Sequence, residues 1–231
     1  GDTDRPGVVG STLPRANSAR VHARIALATP ALATPYARLH ESPHLASLYP
    51  DYLVFLHTVI RASVPLMVDA AERLSCMPGD PLAATLRSYF ERHIPEEEGH
   101  DEWLLQDLQV LGRSREEVLA TIPSVHVAES VGAQYYWIRH HHPVALLGYI
   151  AVLEGQPPTI ARVRDWMVRT GLPEAAFTTL ERHAIADPEH NDELTALLDS
   201  LPLSESHLKC ICLSGMATAG SLARALDDVA G

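Results

Sequence analysis

Apolar residues recur every three or four positions along most of this chain and nowhere alternate with polar ones over a strand length, the mark of helices that bury one face. The pattern predicts helices over 34–47, 51–75 and 80–112, a short one after Ser114, and further helices over 126–141, 143–154, 157–170, 173–199 and 203–229. Proline and glycine punctuate these stretches. Asp80 followed by Pro81 reads as a helix start, a capping side chain ahead of a residue that needs no amide donor, and Ser114-Arg-Glu-Glu117 resembles a capping box. Residues 1–22 are rich in Gly, Pro, Ser, Thr and Arg without periodicity and read as a flexible arm, leaving 23–231 as a single all-α domain.

Three of the apolar stripes are interrupted by groups that ought to face water. His93, Glu97 and His100 share a helix face with Leu104, Leu108 and Leu111. Glu154 continues the line of Leu147 and Ile150 toward Pro158. His183, Asp187 and His190 lie between Leu180 and the series Leu194, Leu197, Leu201. A helix normally sets its charges opposite the apolar stripe, and a buried carboxylate without a partner is costly. Glu97, His100, Glu154, His183, Asp187 and His190 together make three imidazoles and three carboxylates, a mixed N/O set suited to two iron or manganese ions.

Each of these positions also has a plainer reading. The Glu96–Glu102 run resembles a solvated acidic face. Glu154 closes a helix before Gly155, where an acid opposes the macrodipole. Asp187-Pro188 resembles a helix start, which would put His183 and His190 on different helices; the unbroken stripe on both sides favours one helix continuing through the proline. The triplet His140–His142 reads as a helix end rather than a metal site, because consecutive helical residues point in different directions. Trp103, Gln134, Tyr135, Tyr136, Trp137 and Tyr149 read as core or pocket lining; His93 reads as an extra ligand, a donor supporting a ligand or a buried neutral imidazole, and His57 and His126 carry no assigned role.

Composition narrows the classes. Of 231 residues 46% are hydrophobic and 20% charged, as in ordinary globular proteins. A net charge of −11 argues against nucleic acid and anionic membrane surfaces as partners. Cys76, Cys210 and Cys212 match neither a zinc site nor a disulfide framework, so a cytoplasmic location is expected. No run of about 18 uninterrupted apolar residues suggests a membrane span, and no nucleotide-binding or nucleophile-elbow signature is present.

The ordered set Glu97-x-x-His100, Glu154 and His183-x-x-x-Asp187-x-x-His190 resembles the haem-oxygenase-like non-haem diiron oxidases and oxygenases. The resemblance implies a haem-oxygenase-like seven-helix bundle with two Fe(II) ions and dioxygen as co-substrate. It also implies action on a small metabolite: N-oxygenation of an amine or amino acid first, then oxidative C–C cleavage or desaturation of an amino acid or aliphatic acid. The six residues would hold the metals, with Glu154 as the expected bridge. An external electron donor and a homodimer are further expected partners. The competing classes are a non-catalytic iron-binding or redox-sensing helical protein and a metal-independent hydrolase with a nucleophilic cysteine.

Overall fold

A computed structural model describes residues 16–155 and 158–231, and all regular structure among them is helical. The first half comprises α1 (Asn17–Ile25), α2 (Thr29–Glu41), α3 (Leu45–Ile60), α4 (Ser63–Ser75), α5 (Ala83–Glu97) and α6 (His100–Val110). The second comprises α7 (Arg115–Ala120), α8 (Val125–His140), α9 (Leu146–Glu154), α10 (Ile160–Thr170), α11 (Thr178–Ser200) and α12 (Glu205–Ala230), with short 3-10 turns ahead of α9 and α11.

The all-α reading holds, and the boundaries move where local chemistry outweighs periodicity. Helix α1 begins inside the stretch assigned to a flexible arm. Its Val21 is fully buried, and the Ser18 amide and hydroxyl donate to Asp199 Oδ1 and Oδ2 at 2.8 and 2.9 Å. Residues 1–15 of that predicted arm lie outside the described residues. The helix expected over 34–47 is two helices, α2 and α3, because Pro43 forces Ser42 out of the helical region (ψ 131°). The helix expected over 80–112 breaks at Glu98, which is extended, and at Gly99, whose φ of 88° is left-handed. A Cβ at Gly99 would meet nothing within 4 Å, so its backbone conformation, not a close neighbour, calls for glycine. Asp80 caps a turn ahead of α5, accepting from Leu82 N–H at 2.8 Å, and the helix itself starts later than expected, at Ala83, whereas Ser114 caps α7 as its sequence suggests, accepting from Glu117 N–H at 3.1 Å.

The core falls into two clusters. One gathers Leu66, Leu86, Tyr89, Phe90, Leu147, Leu194 and Ile211; the other gathers Leu39, Tyr49, Leu53, Leu104, Leu108, Trp166 and Leu180. The stretch Leu45–Ser75 is apolar and long enough to cross a membrane by composition, but here it divides at Arg61–Ala62. Its Tyr49 and Leu53 feed one cluster, its Leu66 and Met67 the other. Helix α12 packs on α1, α2, α3, α8 and α9. Its crossing with α9 is tight enough that a Cβ on Gly148 would sit 2.1 Å from the Ile211 carbonyl oxygen. The α5–α6 segment runs from the first cluster to the second and α11 runs from the second back to the first, so the two pass in opposite senses. The interrupted portions of their stripes meet at the junction.

Candidate metal centre

Four backbone segments deliver the centre. The last two turns of α5 carry His93 and Glu97, the Gly99 turn redirects the chain so that His100 opens α6, the end of α9 carries Glu154, and α11 carries His183, Asp187 and His190. Helix α11 is continuous through Pro188, so Asp187 is a mid-helix residue and not a cap.

These side chains form two groups whose ligand atoms lie within 4.8 Å of one another. His93, Glu97, Glu154 and His190 make the first; Glu97, His100 and His183 make the second. Glu97 belongs to both. His93 Nε2 is 2.8 Å from Glu154 Oε1, and His93 Nδ1 is 3.0 Å from Glu96 Oε2. Glu97 Oε2 lies 3.1 Å from His100 Nδ1, and its Oε1 lies 3.6 Å from His190 Nδ1. The rings of His93 and His190 meet edge to face at 4.8 Å, those of His100 and His183 at 4.9 Å. Five of the six residues expected from the sequence fall in these groups. Asp187 is buried beside them and outside both.

The electrostatics are those of a site with more negative charge than its own protons balance comfortably. Burial opposes a charge on His93, but its contacts with Glu154, Glu97 and Glu96 prevail and raise it to about 9. Burial, with Glu154 and Glu97 nearby, pushes Asp187 up to about 8. Burial would raise Glu97, yet His100, His183 and His93 hold it below the usual carboxylate range. Burial and the neighbouring His100 keep His183 below the usual imidazole range, and its Nδ1–H donates to the Thr179 carbonyl at 2.9 Å. That bond fixes the tautomer and leaves His183 Nε2 with a free lone pair. Glu154 Oε2, His100 Nδ1 and His190 Nδ1 are buried without any hydrogen-bond partner among the described residues. Buried nitrogen and oxygen atoms without hydrogen-bond partners, gathered among acids and imidazoles, fit a cation, whose binding displaces protons from its ligands. The donor set suits iron, which accepts imidazole and carboxylate together.

A cavity of about 560 Å³ reaches this centre. His93, Glu97, Glu154, His183 and Asp187 line it, whereas His100 and His190 do not reach its wall. His100 is instead braced by Trp103, stacked on it at 4.1 Å, with the Arg182 guanidinium 4.2 Å over the indole. Periodicity offered one signal for His93, its place on the stripe one turn before Glu97; Glu96 had none, since it sits on the wet side of the helix. The other residues singled out earlier have structural places. His142 is buried, accepts from Val144 N–H at 3.0 Å and contacts Asp80 at 3.2 Å. Gln134 accepts from the Ser214 hydroxyl at 2.9 Å inside the α8–α12 interface.

A bundle of this shape recurs in solved structures with a haem-oxygenase-like fold. One is a domain of unknown function with that fold from Shewanella denitrificans OS217: 19% identity, TM-score 0.70, covering 88% of this chain and 90% of that one. Another is a TenA homolog from Pseudomonas syringae pv. tomato strain DC3000: 12% identity, TM-score 0.69, covering 98% of each chain. At such identities the likeness concerns the fold alone. The chain belongs to the iron-containing redox enzyme family, whose model matches residues 61–223 and so spans every member of the two groups. No curated protein matches it.

Proposed function

We propose that this member of the iron-containing redox enzymes is a dioxygen-dependent oxidase or oxygenase of a small metabolite, working with two Fe(II) ions. The observation that carries the proposal is the sharing of Glu97 between two ligand groups, since a carboxylate can span two metals and a neutral imidazole cannot. One ion would be held by His93, Glu97, Glu154 and His190, the other by Glu97, His100 and His183. Glu97 would then be the carboxylate shared by both ions, the place expected of Glu154. Asp187, the remaining buried carboxyl, would complete the set if a cation drew off its proton.

Bound iron supplies the electrons that reduce dioxygen. The chain's own residues do the rest. Thr179 orients His183 through its carbonyl, and the Trp103 ring holds His100 in place. Until a cation displaces it, Asp187, with its carboxyl raised to about 8, holds a proton at the cavity wall at neutral pH. The apolar remainder of the wall keeps bulk water from the reacting atoms. Inserting one oxygen atom into a substrate and reducing the other to water consumes two electrons and two protons, so an external electron donor is part of the proposal. Among the reactions that the likeness of the ligand set implies, N-oxygenation of an amine or amino acid stands ahead of C–C cleavage or desaturation.

The cavity argues against a storage or sensing role, which has no use for a substrate-sized volume. A cysteine-dependent hydrolase is disfavoured as well. Burial pushes Cys210 up to about 11 and raises Cys212, and none of the three cysteines lines the cavity. Anaerobic Fe(II) loading followed by rapid mixing with dioxygen tests the proposal. Two irons per chain and a transient visible band accelerated by an amine are expected; absence of iron uptake would sink it.

A further inference from the structure

The cavity has a second polar region, built from elements that contribute nothing to the metal groups. Helix α2 gives Tyr36 and His40 to its wall, and the first turn of α10 gives Arg162. The Arg162 guanidinium lies 5.9 Å from the centroid of the Tyr36 ring. Tyr36 and His40 both stack on Trp166, at 5.8 and 6.2 Å, so the residues form one cluster. Arg162 is half-buried, and among the described residues no carboxylate pairs with it. Asp165, the nearest acid on its own helix, lies 3.5 Å from Arg169 instead. Glu41, on the same wall, is exposed and makes no ion pair with Arg162. A partly desolvated guanidinium without a counter-ion sits in an environment that favours an anion.

His40 adds a donor of fixed direction. Its Nδ1 accepts from Trp166 Nε1–H at 2.7 Å. A neutral imidazole that accepts at Nδ1 carries its proton on Nε2 and can only donate there. Burial, with Arg162 and Arg169 nearby, holds His40 below the usual imidazole range, so the neutral donor form persists at neutral pH. Arg162, His40 and the Tyr36 hydroxyl thus offer donors to a shared volume, and the rest of the wall includes Leu32, Phe55, Leu56, Ile60, Leu153 and Leu226.

The geometry points to a carboxylate subsite: the substrate is an amphipathic carboxylic acid, its carboxylate held by Arg162 and His40 Nε2–H, its carbon skeleton along the apolar wall, and its far end at Glu97, Glu154 and Asp187. This rests on the reading of the acid–imidazole centre as the reacting site, and it adds an orientation. The atom that reacts is remote from the carboxylate, so the product keeps that group. For an amino acid, the reacting nitrogen is the one at the far end of the side chain.

Calorimetric titration of the full chain with decanoate and decanol, before and after chelation of metal, tests the subsite. Decanoate is expected to bind at least about tenfold more tightly than decanol, roughly 1.4 kcal/mol, and to keep its affinity after chelation. Arg162→Gln should erase that preference without changing decanol binding. Arg162→Lys, which keeps the charge and loses the fork, should retain part of it and guards against a glutamine variant that fails to fold. Equal binding of acid and alcohol, undiminished decanoate affinity in Arg162→Gln, or loss of decanoate binding on chelation would overturn the subsite. A chain that takes up no iron yet shows Arg162-dependent decanoate binding would remove the diiron reading and leave the subsite standing.

Discussion

Glu97 is the residue on which the centre turns, because it alone belongs to both ligand groups. Glu97→Gln keeps the size and removes the charge, so it should lose both irons by metal analysis. His183→Ala should lose no more than one; equal losses in the two variants would refute the shared role. Asp187 poses a different question. Its burial, and after it the neighbouring Glu154 and Glu97, keep it protonated near neutral pH, yet it stands outside both groups. If a cation recruits it, Asp187→Asn should weaken iron binding by about ten- to a hundredfold, the range seen when groups supporting a metal site are removed. An unchanged affinity would reduce Asp187 to a proton holder. The sequence made most of this visible, since an acid or imidazole on an apolar stripe is conspicuous at spacings of three and four. Arg162, His40 and Tyr36 were not visible. Their convergence joins two helices far apart in the chain, and no periodicity records that.

At the scale of elements, the helical type was legible and the breaks were not, so that nine expected helices become twelve among the described residues. The Glu97–His100 spacing suits an unbroken helix, but Gly99 turns the chain at φ 88° between them, and the same residues converge by a different route. Gly99→Ala should cost about 1–2 kcal/mol in denaturant unfolding, the penalty of a left-handed residue with a Cβ, and should also displace His100. A loss of iron affinity larger than the loss of stability would show that the turn aims the ligand. Gly148 is different in kind. Its Cβ would enter the backbone of α12, 2.1 Å from the Ile211 carbonyl oxygen and 2.7 Å from the Gly215 amide nitrogen. Backbone cannot rotate away as a side chain can, so Gly148→Ala should destabilise by about 1–3 kcal/mol or more. It should act through the α9–α12 crossing, and thus shift Glu154 at the end of α9. Stability equal to wild type would mean that α9 and α12 separate more easily than the packing implies.

The molecule as a whole places its centre at the junction of two core clusters, and its pH response mixes many groups, so a single one must be isolated to be read. His142 serves, being remote from the metal groups. Burial outweighs the contact with Asp80 and holds its imidazole below the usual value of 6.5, with His207 and His141 adding in the same direction. The His207 ring lies 5.1 Å from it. The unfolded chain therefore takes up a proton below about pH 6.5 that the folded chain refuses. Stability from this group is complete above that pH and is lost as pH falls through the depressed value. Asp80 behaves alike at lower pH. Burial would raise it, but the Leu82 amide and His142 bring it below its ordinary value, so its contribution disappears only in stronger acid. His142→Asn keeps an acceptor for Val144 N–H and does not titrate. Denaturant unfolding at pH 7.5 and 5.5 should therefore show wild type losing more stability on acidification than His142→Asn, all other groups being common to both. Parallel losses would mean that the imidazole is as easily protonated folded as unfolded, and that the Asp80–His142 contact at the head of α9 holds a cation rather than a neutral ring.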